Sequence, residues 1–144
     1  MDLTPSYDRN GEGLYGEGGK QYGYPDLRVL YLGSGGWGCH SREGGNGGGA
    51  LKIECINLIL NDNASITSNG GCDGNDYDTG SGSGGSIFIV GHHIIMKQDS
   101  IIEAKGGDEH KLIGDGFNKP IGKGGMGRIR IDFNFNVLFI FMLI

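Results

Sequence analysis

The sequence predicts an all-β fold: a short parallel β-helix, or solenoid, with three strands per rung and glycine-rich corner loops. The first observation is an internal repeat, in which residues 50–71 (ALKIECINLILNDNASITSNGG) align without a gap with residues 86–107 at an offset of 36. Self-similarity at such a fixed period is typical of stacked repeats. The second is that no glycine-free window has the apolar period of a helix. An antiparallel β-sandwich or barrel of the same strands is the alternative.

The chain divides into three parts. Residues 1–26 are polar, with glycine, tyrosine and proline, and are predicted to form an irregular lead-in or cap. Residues 27–133 hold the repeats. Within them, residues 27–32 (LRVLYL) are expected to form the last strand of a partial copy, because Val29 aligns with Ile66 and Ile102. Residues 134–144 form an apolar tail outside the repeat register.

Each full unit is predicted to contain three short strands. In the first unit these are residues 51–55, 58–60 and 65–69, with a turn at residues 61–63. Apolar and charged residues alternate in the first strand, which is the period of a half-buried strand. We therefore expect Leu51, Ile53 and Cys55 to point inward, and Lys52 and Glu54 outward. In the second unit, Ile87 and Ile89 are expected inward and Phe88 and Val90 outward.

A third copy begins at Gly127, where residues 128–132 (RIRID) align with residues 50–54. The spacing from the second copy is 42 residues, six more than before, and the glycine-rich segments 70–85 and 106–127 differ in length by the same six residues. Because solenoids accept insertions in surface connections, we expect these segments to be surface loops at one corner.

Composition narrows the function classes. Glycine fills 31 of 144 positions, which leaves a flexible linker as the alternative for isolated glycine tracts. Isoleucine and leucine that recur in register argue against a linker. The net charge of −5 indicates no nucleic-acid partner, and the apolar residues 137–144 are too few to span a membrane. The first residues lack a signal peptide, which favours the cytoplasm, or an extracellular location if the chain is a fragment.

Three carboxylates in one glycine-rich loop are the best metal candidates. Asp73, Asp76 and Asp78 lie in a segment with partial similarity to calcium-binding nonapeptide repeats, so calcium is the ion that this loop would bind. A mixed zinc set of Cys39, His40, Cys72 and His110 would require their loops to stack. His92 and His93 are expected on opposite faces of a strand, where they cannot chelate one metal. No residue is predicted to be catalytic or to bind another cofactor.

Four segments carry a resemblance to known proteins: GGNGGGALKIEC, GSGGSIFIV, IIEAKGG and GKGGMGRIRIDF. They resemble the glycine-rich β-helical repeats of large, mostly uncharacterised protist and bacterial proteins, over about residues 33–133. The resemblance implies a non-catalytic structural or binding module of a larger scaffold or surface protein, with a protein or glycan surface as the kind of partner. The alternative is a fragment of a carbohydrate-active or carbohydrate-binding β-helix protein.

Overall fold

The computed structural model describes residues 18–21, 23–24, 26–38, 43–72, 79–108, 110–111 and 120–134. These residues form an all-β structure with mainly parallel strands, and no helix occurs among them. The strands are β1 (Ala50–Leu60), β2 (Ser65–Thr67), β3 (Ser86–Met96), β4 (Ile101–Glu103), β5 (His110–Lys111), β6 (Pro120–Ile121) and β7 (Arg128–Phe133).

The strands form two open parallel sheets, in the orders β1-β3-β7 and β2-β4, and a short antiparallel pair, β5-β6. Ala50 pairs with Ser86 and Ser65 pairs with Ile101, both at the offset of 36 residues that the sequence alignment has. Ser86 pairs with Arg128 at the second offset, 42 residues. The prediction of an all-β fold with parallel strands is confirmed. The antiparallel sandwich or barrel does not describe these sheets, and neither closes on itself.

Each full unit has two strands and not three. The predicted strands at residues 51–55 and 58–60 are one continuous strand, β1, followed by β2. The alternation changes phase within β1, because Ile56 and Asn57 are both exposed and Ile56 is the one residue of β1 without a paired residue in β3. Ile53 and Leu58 therefore both pack against the core although they are five residues apart.

The predicted turn at residues 61–63 is confirmed. Asn63 has a φ of 60° and Asp99, the equivalent residue of the next unit, has a φ of 56°. Asparagine and aspartate tolerate this left-handed conformation better than most residues. The backbone N–H of Ala64 donates to the Asn61 carbonyl at 3.0 Å and closes the turn.

The apolar core is small and lies between the two parallel sheets. Ile87, Ile89 and Ala104 are buried, and five partly buried side chains pack against them: Ile53, Leu58, Ile66, Ile94 and Ile102. The inward prediction is thus confirmed for Ile87 and Ile89. Leu51 shares the face of Ile87, with which it is paired, but is 38% exposed because no described strand covers the other side of β1.

Residues 27–32 do not form the predicted strand. Leu27 is buried, with a φ of 49° that no strand residue adopts, whereas Val29 is 51% exposed. The segment instead contacts β3 through one side chain, because the Ser86 hydroxyl donates to the Tyr31 carbonyl at 2.8 Å.

The prediction that the glycine-rich segments are surface loops is wrong for residues 79–85, whereas residues 73–78, 109 and 112–119 lie outside the described residues. Residues 79–87 form the longest continuous run of buried residues in the described part of the chain. Thr79, Ser81 and Ser83 are each 1% exposed. A second core, built of glycine and small hydroxyl side chains, therefore lies next to the apolar one, on the N-terminal side of β3. We call residues 79–85 the central glycine segment.

Consecutive backbone N–H groups of the central glycine segment donate to three neighbouring segments in rotation. Those of Gly80 and Ser83 donate to residues 33–38, those of Ser81 and Gly84 to residues 122–127, and those of Gly82 and Gly85 to residues 68–72; all six N···O distances are 2.8–2.9 Å. A period of three is that of the polyproline II helix, with three residues per turn, whereas a β-strand has a period of two.

The carbonyl groups of the central glycine segment accept hydrogen bonds from three further segments. Gly45 and Gly48 of residues 43–49 donate to the Gly80 and Ser83 carbonyls at 2.9 and 2.8 Å. Gly19 donates to Ser81 at 2.7 Å, and Gly107 donates to Gly82 at 2.9 Å. Six segments thus surround one, and we call the assembly the glycine bundle. The segments are residues 18–20, 33–38, 43–49, 68–72, 104–107 and 122–127.

The glycine bundle requires glycine because the segments approach too closely for side chains. A Cβ atom built on Gly36 would lie 1.8 Å from the Gly80 carbonyl oxygen, and one on Gly82 would lie 2.0 Å from the Asn46 oxygen. Both distances are far inside van der Waals contact. By contrast, the nearest atom to a Cβ on the neighbouring Gly35 lies 3.6 Å away. Space, and not backbone conformation, selects glycine at these positions.

Side chains in the outer segments recur every third residue and face solvent. Exposed residues of this pattern include Glu43, Asn46, Asn69, Cys72, Lys105, Asp108, Lys123 and Met126. Two glycines separate each of them from the next in its segment, which gives an X-Gly-Gly-X pattern. This spacing places one residue per turn on the outside of the glycine bundle and two glycines against its neighbours.

We predict that Gly36→Ala lowers the free energy of unfolding by about 1–3 kcal/mol, the usual cost of overpacking, because its methyl group would meet the Gly80 carbonyl. The matched control is Gly35→Ala, for which we expect little loss, or a gain of about 0.4–1 kcal/mol from reduced freedom of the unfolded chain. Urea denaturation of both variants and the parent chain checks this. Equal stabilities of the two variants would contradict the close approach.

Candidate functional site

Most of the predicted metal ligands lie outside the described residues. This holds for Asp73, Asp76 and Asp78, and for Cys39 and His40. Cys72 is exposed and Cys55 is half-buried, and both are free thiols. Within the described part of the chain, no three His, Cys, Asp or Glu residues come together as a possible metal site. Calcium and zinc binding therefore stay predictions.

The outer face of the sheet β1-β3-β7 carries the densest set of functional side chains. Lys52, Phe88 and Arg130 are paired residues of the three strands and form one row across the sheet. The Lys52 Nζ lies 5.9 Å and the Arg130 Cζ 5.0 Å from the centre of the Phe88 ring. Cations at this distance are attracted by the aromatic ring, so Phe88 aligns two positive charges.

A second row, one step further along the same face, holds Glu54, Val90 and Asp132. Glu54 forms an ion pair with Lys52, with 2.9 Å between Oε2 and Nζ. Asp132 accepts two hydrogen bonds from the Arg130 guanidinium, at 2.9 and 2.6 Å. Since neighbouring strands lie about 4.8 Å apart, the Cα atoms of Glu54 and Asp132 are roughly 10 Å from each other. Asp132 raises the pKa of the Arg130 guanidinium above its ordinary value, mainly through its hydrogen bond.

An open depression of about 280 Å³ continues from the second row. Its walls are formed by Glu54, Cys55, Ile56, Val90, His92 and Asn134. His92 is partly buried there, whereas His93 is exposed. Sequence reasoning considered His92 only as a metal ligand together with His93, and rejected it. It did not place His92 beside Glu54, because that position depends on the pairing of β1 with β3.

A second open depression, of about 340 Å³, lies on the glycine bundle. It is lined by four glycines and three larger residues: Gly18, Gly19, Gly35, Gly36, Lys20, Ser34 and Trp37. Trp37 is 49% exposed. A half-exposed indole beside a flat backbone surface can stack on an apolar or sugar ring.

A polar network joins the two units at the start of the outer glycine segments. The Asn69 amide donates to Glu103 Oε1 at 2.7 Å, and its oxygen accepts from the Lys105 backbone N–H at 2.8 Å. The Lys105 ammonium pairs with the other oxygen of Glu103. Lys105 and then Asn69 hold the pKa of Glu103 below its ordinary value, and Glu103 raises the pKa of Lys105.

Comparison with family models, curated proteins and solved structures finds no match to this chain. No helix in the described part of the chain is long and apolar enough to cross a membrane.

We predict that Asn69→Ala raises the pKa of Glu103 toward its ordinary value, because the carboxylate loses one of the donors that stabilise its charged form. The change is measured by NMR titration of the carboxyl carbon, and Asn46→Ala serves as the control because Asn46 is also an exposed asparagine followed by two glycines. A Glu103 pKa that is equal in both variants would contradict the network.

The lowered pKa also sets the sign of the pH dependence. A carboxylate with a depressed folded-state pKa contributes stability above its unfolded-state pKa and loses it as the pH falls through the folded-state pKa. The parent chain should therefore lose more stability than Asn69→Ala on acidification.

Proposed function

We propose that this chain is a short parallel β-solenoid that acts as a rigid structural or binding module in a larger scaffold or surface protein. The carrying observation is the register: the pairs β1–β3 and β2–β4 keep one offset, 36 residues, over both strands of the unit. A constant offset of this kind is what stacked repeats require. The resemblance to glycine-rich β-helical repeats supports the same proposal.

The glycine bundle supports a mechanical role. The central glycine segment bonds to six neighbours through its backbone, so no single contact can open without affecting the others. Its buried residues are glycine, serine and threonine, and their small side chains are enclosed where a substrate does not reach them. The outward side chains of the X-Gly-Gly-X pattern include Glu43, Lys105 and Lys123, a mixture that suits a solvated surface.

The alternative is a carbohydrate-binding or carbohydrate-active fragment. Two observations favour it: Trp37 in the open depression on the glycine bundle, and the two carboxylates Glu54 and Asp132 on one face of the sheet. The Cα atoms of these two residues lie two strand spacings, roughly 10 Å, apart, and inverting glycosidases use carboxyl groups about 6.5–9.5 Å apart. Each carboxylate forms an ion pair with a cation of its own strand, and this contact competes with contacts to a substrate.

We predict that the backbone amides of residues 80–86 exchange with solvent more slowly than any others in the described part of the chain. Exchange of a central amide requires the bundle to open, whereas the amide of Lys97, bonded to the Leu60 carbonyl beside a turn, requires only local fraying. Hydrogen-exchange mass spectrometry or NMR measures this. Similar rates at Gly82 and Lys97 would contradict a rigid bundle.

The two candidate functions separate in a direct assay. We expect no release of reducing ends from a panel of polysaccharides and no saturable signal on a glycan array. If binding or release is found, Trp37→Ala and Glu54→Gln identify the site, with Glu43→Gln as the control for lost surface charge. Release that Glu54→Gln abolishes and Glu43→Gln spares would replace the scaffold proposal with the enzymatic alternative.

A further inference from the structure

Strand β7 is an edge of its sheet. It pairs with β3 on one side, and no described strand pairs with its other side. Its inward side chains continue the core rows but are open to solvent: Ile129 is 43%, Ile131 36% and Phe133 53% exposed. In β3, the paired residues Ile87 and Ile89 are fully buried. The edge strand of a sheet that also has an apolar face is a template for another strand.

The two faces of β7 have different chemistry. Ile129, Ile131 and Phe133 occupy one face, and Arg130 and Asp132 alternate with them on the other. Directly opposite residues of an antiparallel pair share a face. If Ile131 lies opposite itself, Ile129 meets Phe133 and Arg130 meets Asp132. The strand is therefore complementary to itself: apolar residues meet apolar residues, and Arg130 meets the opposite charge of Asp132.

We propose that β7 is a self-association edge, at which a second copy of this chain adds its own β7 antiparallel about a two-fold axis at Ile131. The interface is isologous, as in most dimers with two-fold symmetry. Arg130 keeps its contact to Asp132 of its own strand and gains Asp132 of the second copy, so four charges of alternating sign form a square. The inference rests on the proposed scaffold role and gives its module a partner.

Charge decides against the other way in which two copies can stack. In a head-to-tail arrangement, β7 of one copy would pair in parallel with β1 of the next and continue the present register. Arg130 would then lie beside Lys52, and Asp132 beside Glu54, since these residues share rows in the sheet. Like charges directly opposite each other destabilise a sheet, whereas opposite charges contribute about 0.2–1 kcal/mol per pair.

The strand is short, so the association is expected to be weak and concentration-dependent. Six residues of edge bury less than the roughly 1,200–2,000 Å² of a stable interface. Sedimentation velocity of the full chain over a concentration series should show a reversible monomer–dimer equilibrium. A parent chain that stays monomeric at the highest concentration overturns the proposal.

The first test exchanges charges. Arg130→Asp gives an edge with two acids and Asp132→Arg one with two bases, so each variant alone should dimerise at least about tenfold more weakly than the parent. Mixed together, they should form a heterodimer, because residue 130 of each then faces the opposite charge at residue 132 of the other. The double variant that swaps both residues should dimerise like the parent. A mixture that associates no better than either variant overturns the antiparallel pairing.

The second test maps the two-fold axis. With Cys39, Cys55 and Cys72 replaced by serine, Ile131→Cys should form a disulfide-linked dimer under mild oxidation, because residues opposite each other have Cα atoms about 4.5–5.5 Å apart. Ile129→Cys is the matched control: the two copies of residue 129 would lie four residues, or roughly 13 Å, apart and should not crosslink. Crosslinking of neither variant, or of both equally, overturns the proposed register.

Thermal unfolding and hydrogen exchange of every variant separate this proposal from the scaffold role. Monomers with a protected central glycine segment leave the module intact and overturn self-association alone. Sugar release that depends on Glu54 overturns the scaffold role, whatever the oligomeric state.

Discussion

The backbone hydrogen bonds of the central glycine segment constrain the rest of the structure. Residues 79–85 can bond to six neighbours only if all seven segments approach to distances at which a Cβ atom would collide with a carbonyl. Three of the segments in the bundle continue without interruption into strands: residues 43–49 into β1, residues 79–85 into β3 and residues 122–127 into β7. The bundle fixes how far these three segments are shifted along the chain direction relative to one another. It therefore also fixes the parallel register of β1, β3 and β7. The apolar side chains then need only to match the spacing that the backbone sets.

Two cores of different physics therefore share one short chain. The apolar core gains from removing Ile87 and Ile89 from water, but the end strands leave Leu51 on one side and Ile131 on the other partly exposed. The glycine bundle contributes few apolar contacts and instead satisfies buried backbone groups, which would be costly if left unpaired. The hydroxyls of Ser34 and Ser83 extend this satisfaction, since the Ser34 N–H donates to Ser83 Oγ at 2.7 Å. The two cores meet in the middle unit, because residues 79–85 of the glycine bundle continue into β3, whose Ile87 and Ile89 belong to the apolar core.

The strand pairing could be predicted from the sequence because in a parallel in-register stack the alignment offset and the pairing offset are the same number. The outward positions of Lys52 and Glu54 followed from the same alternation. Sequence reasoning failed where glycine was concerned: a buried backbone leaves no hydrophobic pattern, so residues 79–85 resembled a surface loop. The X-Gly-Gly-X spacing at Glu43, Asn69, Lys105 and Lys123 carried the missing signal, a period of three. The row of Lys52, Phe88 and Arg130 could not be predicted, because it depends on the order of the strands in the sheet. Residues 27–32 have the composition of a strand, but the positive φ of Leu27 is incompatible with one.

A core made of backbone amides has an unusual thermal consequence. The heat capacity of unfolding rises with the apolar surface that becomes exposed, by about 0.45 cal/K/mol per Å², and falls with the polar surface, by about 0.26. The central glycine segment exposes mostly peptide groups when it unfolds, so it offsets part of the increment from the isoleucines. The stability of this fold should therefore vary less with temperature than that of an all-apolar core of equal size. Cooling, which weakens hydrophobic packing, acts mainly on the apolar core.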